Sequence, residues 1–237
     1  VKEIFDLLRE EFALDGKNRL LDLGCGTGRI AIALHQDFEE ILALDISANM
    51  IKRGEEEAVA LGIKNIRWIE SSAEDITDDI GKFRLITCGE AFHWMDREKV
   101  VDKLYDLLLE DGGFAILGAG GALGRSEGDW QSIVNEKIEK WVGKRDTPWK
   151  KGKALSHEEV LQKSKFTSIK SGVIEYTRAY TIDDILGFLY TTSYCNKSLL
   201  GEKISDFERD MRESLLKLNP ENNFKEKREA FYILAKK

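Results

Sequence analysis

The amino-acid sequence predicts an α/β fold, in which a mostly parallel sheet is covered by helices on both faces. Between residues 19 and 117, short apolar runs alternate with stretches that have helical spacing, as expected when parallel strands are joined by helical crossovers. Each run is apolar at nearly every position, which is typical of a strand buried on both faces. A turn with three glycines, at residues 24–28, follows the first run. This turn marks a candidate ligand site at the end of the first strand.

Five strands and three helices are predicted in the first half of the chain. The strands are Arg19–Leu23, Ile41–Leu44, Ile66–Ile69, Phe83–Cys88 and Phe114–Leu117. Helical spacing predicts helices over Asn49–Leu61 and Asp96–Leu109, and over the opening segment, where Ile4 and Leu8 share a face. The Asp-Gly-Gly sequence at residues 111–113 predicts a helix stop and a turn before the fifth strand.

The pattern changes after residue 117. A glycine-rich stretch leads into helical spacing from Trp130 to Trp141, and Ser156 with Glu159 gives the capping-box pattern of a short helix. The remaining predicted elements are a strand over Thr167–Tyr180, helices that begin at Ile182 and Ile204, and a final strand over Ala230–Leu234.

We interpret residues 1–237 as a single domain with insertions. The core comprises about 1–120, 165–180 and 224–237, and helical cap insertions comprise about 125–164 and 181–219. The chain has only two prolines and no proline-rich linker, which favours one domain. Because the first residue is Val1 rather than methionine, we expect that a leading segment is missing.

Composition favours a globular, cytoplasmic enzyme. No apolar run is long enough to cross a bilayer, and the N-terminus lacks the pattern of a signal peptide. The net charge of −7 argues against broad binding of nucleic acid, which needs a positive surface. Three cysteines and three histidines lie far apart in the sequence, so we expect neither a disulfide framework nor a metal site. The oligomeric state stays open.

The glycine turn carries the first chemical signal. Gly24, Gly26 and Gly28 follow a strand that ends in Asp22-Leu23, so the backbone turns where side chains would block the approach of a ligand. The spacing Gly-x-Gly-x-Gly differs from the Gly-x-Gly-x-x-Gly of nicotinamide enzymes. A carboxylate so close to the turn would repel a pyrophosphate, whereas it would attract the ammonium group of a cofactor that carries an amino acid.

Two further carboxylates follow the next two strands. Asp45 lies 17 residues after Gly28, near the spacing of the acidic residue that binds ribose hydroxyls in dinucleotide folds. A carboxylate can accept hydrogen bonds from two neighbouring hydroxyls. Glu74 lies in the polar loop Ser71–Asp75 after the third strand and could accept a hydrogen bond from an adenine amino group. For both residues the alternative is a solvated carboxylate at the end of a loop.

The ordered set of signatures resembles class I S-adenosylmethionine (SAM)-dependent methyltransferases. The resemblance rests on residues 21–28, 44–46, 73–76 and 111–113 and covers about half of the chain. It implies a Rossmann-like, mostly parallel seven-stranded sheet, SAM as cofactor and S-adenosyl-L-homocysteine as product. By this resemblance the turn binds the methionine part of SAM, Asp22 lies near its amine, Asp45 holds the ribose and Glu74 faces the adenine. The implied cofactor-binding residues are Asp22, Gly24, Cys25, Gly26, Thr27, Gly28, Asp45, Ile46, Met50, Ser72, Ala73, Glu74 and Glu90.

The segment after the fourth strand is the candidate catalytic loop. Its His93-Trp94 pair is similar to that of the small-molecule branch known as methyltransferase type 11 or trans-aconitate methyltransferase-like. His93 or Glu90 could act as a general base if the acceptor is a hydroxyl or an amine, whereas a carboxylate acceptor needs no base. The alternative, which we favour for His93, is that it packs and shapes the wall of the site.

The predicted function is methyl transfer from SAM to a small-molecule carboxylate, hydroxyl or amine by in-line displacement, with much of the rate supplied by alignment. Two alternatives stay open. The basic and aromatic insert could serve an RNA or protein methyltransferase; it contains Trp130, Trp141, Lys144, Arg145, Trp149, Lys150, Lys151 and Lys153. The chain could also bind SAM without catalysis.

Overall fold

The computed structural model describes residues 1–119, 128–143, 155–192 and 194–237. Within these residues, seven strands form one sheet in the order β3-β2-β1-β4-β5-β7-β6. The strands are β1 (Arg19–Leu23), β2 (Glu40–Asp45), β3 (Ile66–Glu70), β4 (Phe83–Gly89), β5 (Leu108–Ala119), β6 (Ser168–Tyr180) and β7 (Phe224–Lys236). The first five strands pair in parallel, and β7 runs antiparallel to β5. The predicted α/β fold with a mostly parallel seven-stranded sheet is therefore confirmed.

The helices include two short ones, at residues 29–33 and 197–200, for which no bounds were predicted, and otherwise follow the predicted amphipathic segments. They are α1 (Lys2–Glu11), α2 (Arg29–Ala33), α3 (Ala48–Ala60), α4 (Arg97–Leu107), α5 (Asp129–Val142), α6 (His157–Gln162), α7 (Ile182–Tyr190), α8 (Lys197–Leu200) and α9 (Ile204–Leu218). The capping box predicted for α6 is present, since the hydroxyl of Ser156 and the carboxylate of Glu159 each bond the other's backbone N–H. A second capping box, formed by Thr181 and Asp184, begins α7.

One predicted turn is wrong as placed. Residues 111–113 lie inside β5, which begins directly after α4 ends, rather than in a turn that precedes the strand. The register with β4 shifts here: Phe83 pairs with Leu108, and Leu85 pairs with Gly113. A Cβ on Gly112 would lie 3.0 Å from the carbonyl oxygen of Arg84. The glycine pair thus permits close approach of the backbones of β4 and β5. In the sequence, a glycine pair required for this reason looks the same as one that ends a helix.

The chain divides into two compact units. The first comprises residues 1–119, 153–174 and 230–237. Its core contains Phe83, Phe92 and Phe114 together with Leu104 from α4 and Leu161 from α6. The first unit therefore includes α6, which lies within the predicted 125–164 insertion. The division of the domain into a catalytic core and inserted caps stays a prediction.

The second unit comprises residues 120–152 and 175–229. Its core includes Trp130 from α5 and Phe207 and Met211 from α9, with the ring of Trp141 packed against it. The indole N–H groups of both tryptophans are bonded, that of Trp130 to the carbonyl oxygen of Lys225 and that of Trp141 to a carboxylate. These two aromatics of the predicted basic insert are therefore packing residues. Its other members, Lys144, Arg145, Trp149, Lys150, Lys151 and Lys153, lie outside the described residues.

None of the helices in the described part of the chain combines the length and the apolar character that a membrane crossing requires.

Candidate functional site

The site lies where the strand order of the sheet reverses. From β1 the chain moves outward through β2 to β3 and then returns to β4, on the other side of β1. Because crossovers between parallel strands are right-handed, the helices before and after this reversal lie on opposite faces, and a crevice opens at the carboxyl ends of β1 and β4. Gly24 follows β1, and Glu90 follows β4. Residues from both loops line the same cavity there.

The glycine turn needs glycine for two different reasons. Gly24, Gly26 and Gly28 all have left-handed backbone conformations, with φ of +59°, +57° and +77°, which cost little only for glycine. At Gly24 and Gly28 space is also lacking, because an added Cβ would lie 2.4 Å from the Cβ of Ala91 and 2.2 Å from the ring of Trp68. A Cβ on Gly26 would meet no atom within 4 Å. The open side of Gly26 thus borders the cavity rather than packed protein.

Asp45 fixes the glycine turn to the end of β2. Its Oδ2 accepts a hydrogen bond from the N–H of Gly26 at 2.8 Å, and its Oδ1 accepts one from the N–H of Ser47 at 2.8 Å. A carboxylate offers about four acceptor positions, so two are left for a ligand. Asp45 also lines a cavity, which agrees with its predicted position at the edge of the site.

Asp22 is fully buried beneath the turn. Its Oδ1 accepts a hydrogen bond from the hydroxyl of Thr87 at 2.8 Å, and its Oδ2 accepts one from the N–H of Ala31 at 3.3 Å. The first turn of α2 has Gly28 as its N-cap residue, which has no side chain to serve as a cap. Asp22 supplies this missing acceptor. Sequence analysis gave no indication of this role, and contact of Asp22 with a ligand amine stays a prediction.

Burial raises the pKa of Asp22 to about 7, more than its two hydrogen bonds lower it, and the nearby carboxylate of Asp45 adds to the rise. A carboxyl group without access to water pays a large cost for its charge. Burial likewise raises the pKa of the thiols of Cys25 and Cys88. Neither thiol therefore supplies a nucleophile at neutral pH.

Two cavities flank the glycine turn and share Gly24 as a wall. The first, the glycine-turn cavity, has a volume of about 330 Å³ and reaches from the turn to the end of β4. The second, the β2–β3 cavity, has a volume of about 320 Å³ and lies at the ends of those strands. Of the predicted site residues, Gly24, Cys25, Gly26, Thr27 and Glu90 line the glycine-turn cavity. Gly24, Asp45, Ile46, Ser72, Ala73 and Glu74 line the β2–β3 cavity.

The remaining predicted residues line neither cavity. Gly28 packs on Trp68, Asp22 is buried, and Met50 lies on the exposed side of α3. The side chain of His93 is exposed, with its ring 5.0 Å from that of Trp94. The roles predicted for these four residues toward a ligand stay predictions.

Sequence analysis missed several residues of the glycine-turn cavity, namely Ile4, Phe5, Arg29, Ile30, Leu117 and Ala230. For Arg29 and Ile30 the available signal was adjacency, because they directly follow the last glycine of the turn. The β2–β3 cavity is lined in addition by Ala91, Trp94 and Met95, which belong to the candidate catalytic loop after β4.

The loop after β4 holds a strained residue at the cavity. Glu90 has φ of +55°, a conformation that costs a non-glycine residue of order 1–3 kcal/mol and is concentrated at functional sites. Its N–H donates to the carbonyl oxygen of Leu117 at 3.0 Å, which ties the loop to β5. Buried Phe92 anchors the next turn. The strained position keeps the side chain of Glu90 at the cavity lining.

The polar loop after β3 uses part of its hydrogen-bonding capacity internally. Oε1 of Glu74 accepts from the N–H of Asp96 at 2.8 Å, just before α4 begins. The hydroxyl of Ser72 donates to the carboxylate of Asp75 at 2.7 Å and accepts from its N–H at 3.2 Å. Glu74 thus links the loop to α4, and the contact predicted between Glu74 and adenine stays a prediction.

His157 is the second histidine near this loop. Its ring lies 6.5 Å from that of His93 and 5.2 Å from that of Phe92, and its Nδ1 is 3.2 Å from a guanidinium nitrogen of Arg97. Burial lowers the pKa of His157, and the charges of Arg97 and His93 lower it further. These surroundings favour the neutral imidazole, and its ring packs beside Phe92.

Comparison with known proteins agrees with the geometry. Residues 20–112 match a family described as a methyltransferase domain. A Saccharomyces cerevisiae protein described as a probable S-adenosylmethionine-dependent methyltransferase is 30% identical over 101 residues, 42% of this chain and 35% of the relative. An uncharacterized methyltransferase from Schizosaccharomyces pombe is 23% identical over 85% of this chain and 75% of its own. The chain thus spans about a third of the first relative and three quarters of the second.

A shorter match is to a tRNA/tmRNA (uracil-C(5))-methyltransferase from Shewanella, 39% identical over 30% of this chain and 19% of that protein. Among solved structures, a candidate type II methyltransferase from Anaeromyxobacter dehalogenans has a TM-score of 0.64 at 19% identity. That match covers 98% of this chain and 94% of the other, and shows a shared fold. Taken with the glycine turn at the switch point of the sheet, these matches show that residues 20–112 are similar to a methyltransferase domain, and they support a relationship to the class I SAM-dependent methyltransferases.

Proposed function

We propose that this methyltransferase moves the methyl group of SAM to a small-molecule carboxylate, hydroxyl or amine by in-line displacement, at the glycine-turn cavity. The proposal rests on the backbone conformation and the open surroundings of Gly26. Its backbone is held by Asp45 in a left-handed conformation, with open space where a side chain would be. A ligand can therefore lie directly on the backbone of the turn. The adenosine and methionyl parts of SAM would occupy the two cavities on either side of Gly24.

The β2–β3 cavity suits the adenosine part. Asp45 has acceptor positions left for the ribose hydroxyls. Ile46 and Trp94, which are 77% and 83% exposed, border the same cavity. Large apolar side chains left in water next to a cavity favour a flat ring that would cover them. We infer that these two side chains hold the adenine.

The glycine-turn cavity suits the methionyl part and the acceptor. When bound, SAM supplies an electrophilic methyl group on a positively charged sulfur. The apolar side chains of Ile4, Phe5 and Leu117 line this cavity. Alignment of two bound reactants supplies much of the rate in such a site. Glu90 also lines the cavity and is the better placed base if the acceptor is a hydroxyl or an amine.

His93 is a weaker candidate for the base. Its exposed ring packs beside Trp94 and lies outside the lining of both cavities. We therefore propose that His93 positions the Trp94 side chain.

Two experiments test the proposal. First, calorimetry should show binding of SAM and S-adenosyl-L-homocysteine to the purified protein, and Gly62→Ala, a glycine substitution away from both cavities, should bind as the wild type does. Second, a screen of carboxylic acids, phenols and amines with labelled SAM should yield a methylated product detected by mass spectrometry. Transfer only to RNA, with affinity that falls steeply with salt, would contradict the small-molecule proposal and support the relationship to tRNA methyltransferases. Cofactor binding without transfer to any class would favour a non-catalytic protein.

A further inference from the structure

The ring of Trp68 lies between two glycines from different parts of the first unit. A Cβ added to Gly28, the last glycine of the turn, would lie 2.8 Å from the ring carbon Cζ3 of Trp68. A Cβ added to Gly54 would lie 2.5 Å from the same atom. Trp68 belongs to β3, and Gly54 belongs to the interior of α3. The edge of one indole ring therefore fills the gap between α3 and the glycine turn.

Gly54 is an unfavourable residue for its position unless this gap is needed. Glycine inside a helix costs roughly 0.5–1 kcal/mol relative to alanine, and Gly54 is a buried residue in the middle of the 13-residue helix α3. An added Cβ there would meet the carbonyl oxygen of Thr27, in the glycine turn, at 3.1 Å as well as the Trp68 ring. The absence of a side chain at Gly54 thus lets both the ring and the turn lie against α3.

The glycine turn depends on contacts with its surroundings to keep one conformation. Within the turn, the N–H of Gly28 donates to the carbonyl oxygen of Cys25 at 2.8 Å. Three glycines give the backbone many alternative conformations, because glycine adopts positive and negative φ about equally well. Asp45 restrains the turn at Gly26 by a hydrogen bond. The ring of Trp68 restrains it at Gly28 by packing, where no side chain of the turn itself could do so.

Trp68 influences the candidate site only through the turn. Its side chain is outside the linings of the glycine-turn cavity and the β2–β3 cavity, whereas Gly26 and Thr27 line the first of these. When only a fraction of a protein has the conformation that binds a ligand, the apparent affinity falls by that fraction. Packing that holds the turn in place before the ligand arrives therefore raises the affinity.

We propose that Trp68 is a positioning residue for the cofactor: its ring, seated between Gly28 and Gly54, holds the glycine turn in the conformation that binds SAM. This inference rests on the proposed function, since it assumes that SAM lies on the turn. It assigns a part in cofactor binding to β3 and to the interior of α3. It also explains why α3 has glycine at a buried interior position.

The test compares the wild type with four variants. Trp68→Leu removes the ring, Gly54→Ala places a Cβ against it, and a third variant combines the two substitutions. The matched control is Phe166→Leu, because Phe166 is a buried aromatic residue in the core of the same unit and lies outside both cavities. Calorimetry measures the affinity for S-adenosyl-L-homocysteine, and thermal unfolding followed by circular dichroism measures stability. Hydrogen exchange with mass spectrometry measures the protection of the amides of residues 24–32.

Trp68→Leu and Phe166→Leu should both lower the midpoint of thermal unfolding, because each leaves packing space unfilled. Only Trp68→Leu should also weaken the binding of S-adenosyl-L-homocysteine, by roughly 10-fold if about a tenth of the molecules keep the competent turn. Its amides at residues 24–32 should exchange faster than those of the wild type in the free protein, and bound ligand should restore their protection. Gly54→Ala should weaken binding too, since it displaces the ring, but it should cause no further loss in the Trp68→Leu background.

Wild-type affinity in Trp68→Leu, or an equal loss of affinity in Phe166→Leu, would overturn the inference while the proposed function stands. Additive losses in the combined variant would overturn it as well, because Gly54 would then act independently of the ring. If Trp68→Leu does not fold, Gly54→Ala decides the question, since wild-type affinity in that variant would contradict the role of the ring. A folded wild type that does not bind S-adenosyl-L-homocysteine would overturn both the inference and the proposed function.

Discussion

A single methyl group added at Gly26 should separate cofactor binding from folding. The Gly26→Ala variant places a Cβ in open space on the cavity side of the turn, with no protein atom within 4 Å. Its only cost within the protein is the left-handed conformation, at φ of +57°. Gly62, just after α3, has φ of +73° and equally open surroundings but lines neither cavity. Gly62→Ala is therefore a matched control for the backbone strain.

Both variants should lose about 1 kcal/mol of folding stability, because alanine is strained in this region of backbone space. For a chain of this size, the midpoint of thermal unfolding should fall by about 2–4 °C in each. Only Gly26→Ala should also lose affinity for S-adenosyl-L-homocysteine. Overpacking by one methyl group costs about 1–3 kcal/mol, which corresponds to a roughly 5- to 150-fold rise in Kd.

Thermal unfolding and calorimetry on the two variants measure these effects side by side. Wild-type affinity in Gly26→Ala would refute the conclusion that the open side of this glycine faces the cofactor. Equal loss of affinity in both variants would show that backbone strain, rather than occupied space, had weakened binding.

The remaining predictions concern Asp22, Asp45 and His93. Burial raises the pKa of Asp22 to about 7 in the folded chain, above about 3.9 in the unfolded chain. The contribution of the protonated carboxyl group to folding stability is therefore complete below about pH 4, and it is lost as the pH rises through 7. Urea unfolding should therefore show the wild type losing about 2–3 kcal/mol relative to Asp22→Asn between pH 5 and pH 8, and a constant difference would contradict the burial argument. Asp45→Ala should weaken the binding of 5′-methylthioadenosine at least about 10-fold and the binding of its 2′,3′-dideoxy analogue much less. Equal losses of affinity for the two ligands would show that Asp45 supports only the turn. His93→Ala should leave cofactor affinity and turnover within about 3-fold of wild type, because its ring is exposed outside both cavities, whereas a 100-fold loss of turnover at constant affinity would assign it to catalysis.

β1, β2 and β4 could be predicted from the sequence because their burial on both faces leaves a nearly continuous apolar run. β3 lies at the edge of the sheet and is only partly buried. The glycine turn could be predicted because a left-handed backbone at three alternate positions requires glycine. The Asp-Gly-Gly sequence at residues 111–113 was misplaced for a related reason. A glycine required by close contact between strands has the same sequence signature as one that ends a helix.

The lining of the site could be predicted only in part. Asp45 and Ile46 directly follow a predicted strand, so their place at the edge of the sheet follows from topology. Phe5 and Arg29 reach the cavity from α1 and α2, and no local sequence pattern indicates that they line it. Asp22 was predicted to contact a ligand because the sequence shows an acidic residue beside a turn. The sequence cannot show that α2 lies close to this carboxylate and donates the N–H of Ala31 to it.

The central claim is that the glycine turn and the end of β2 bind SAM across two cavities. A crystal structure of the protein with S-adenosyl-L-homocysteine tests this claim most directly. We predict that the adenine lies between Ile46 and Trp94, that the ribose hydroxyls bond to Asp45, and that the methionyl part lies against Gly26. A ligand bound away from the turn, or a complex in which the space beside Gly26 holds only water, would contradict the account.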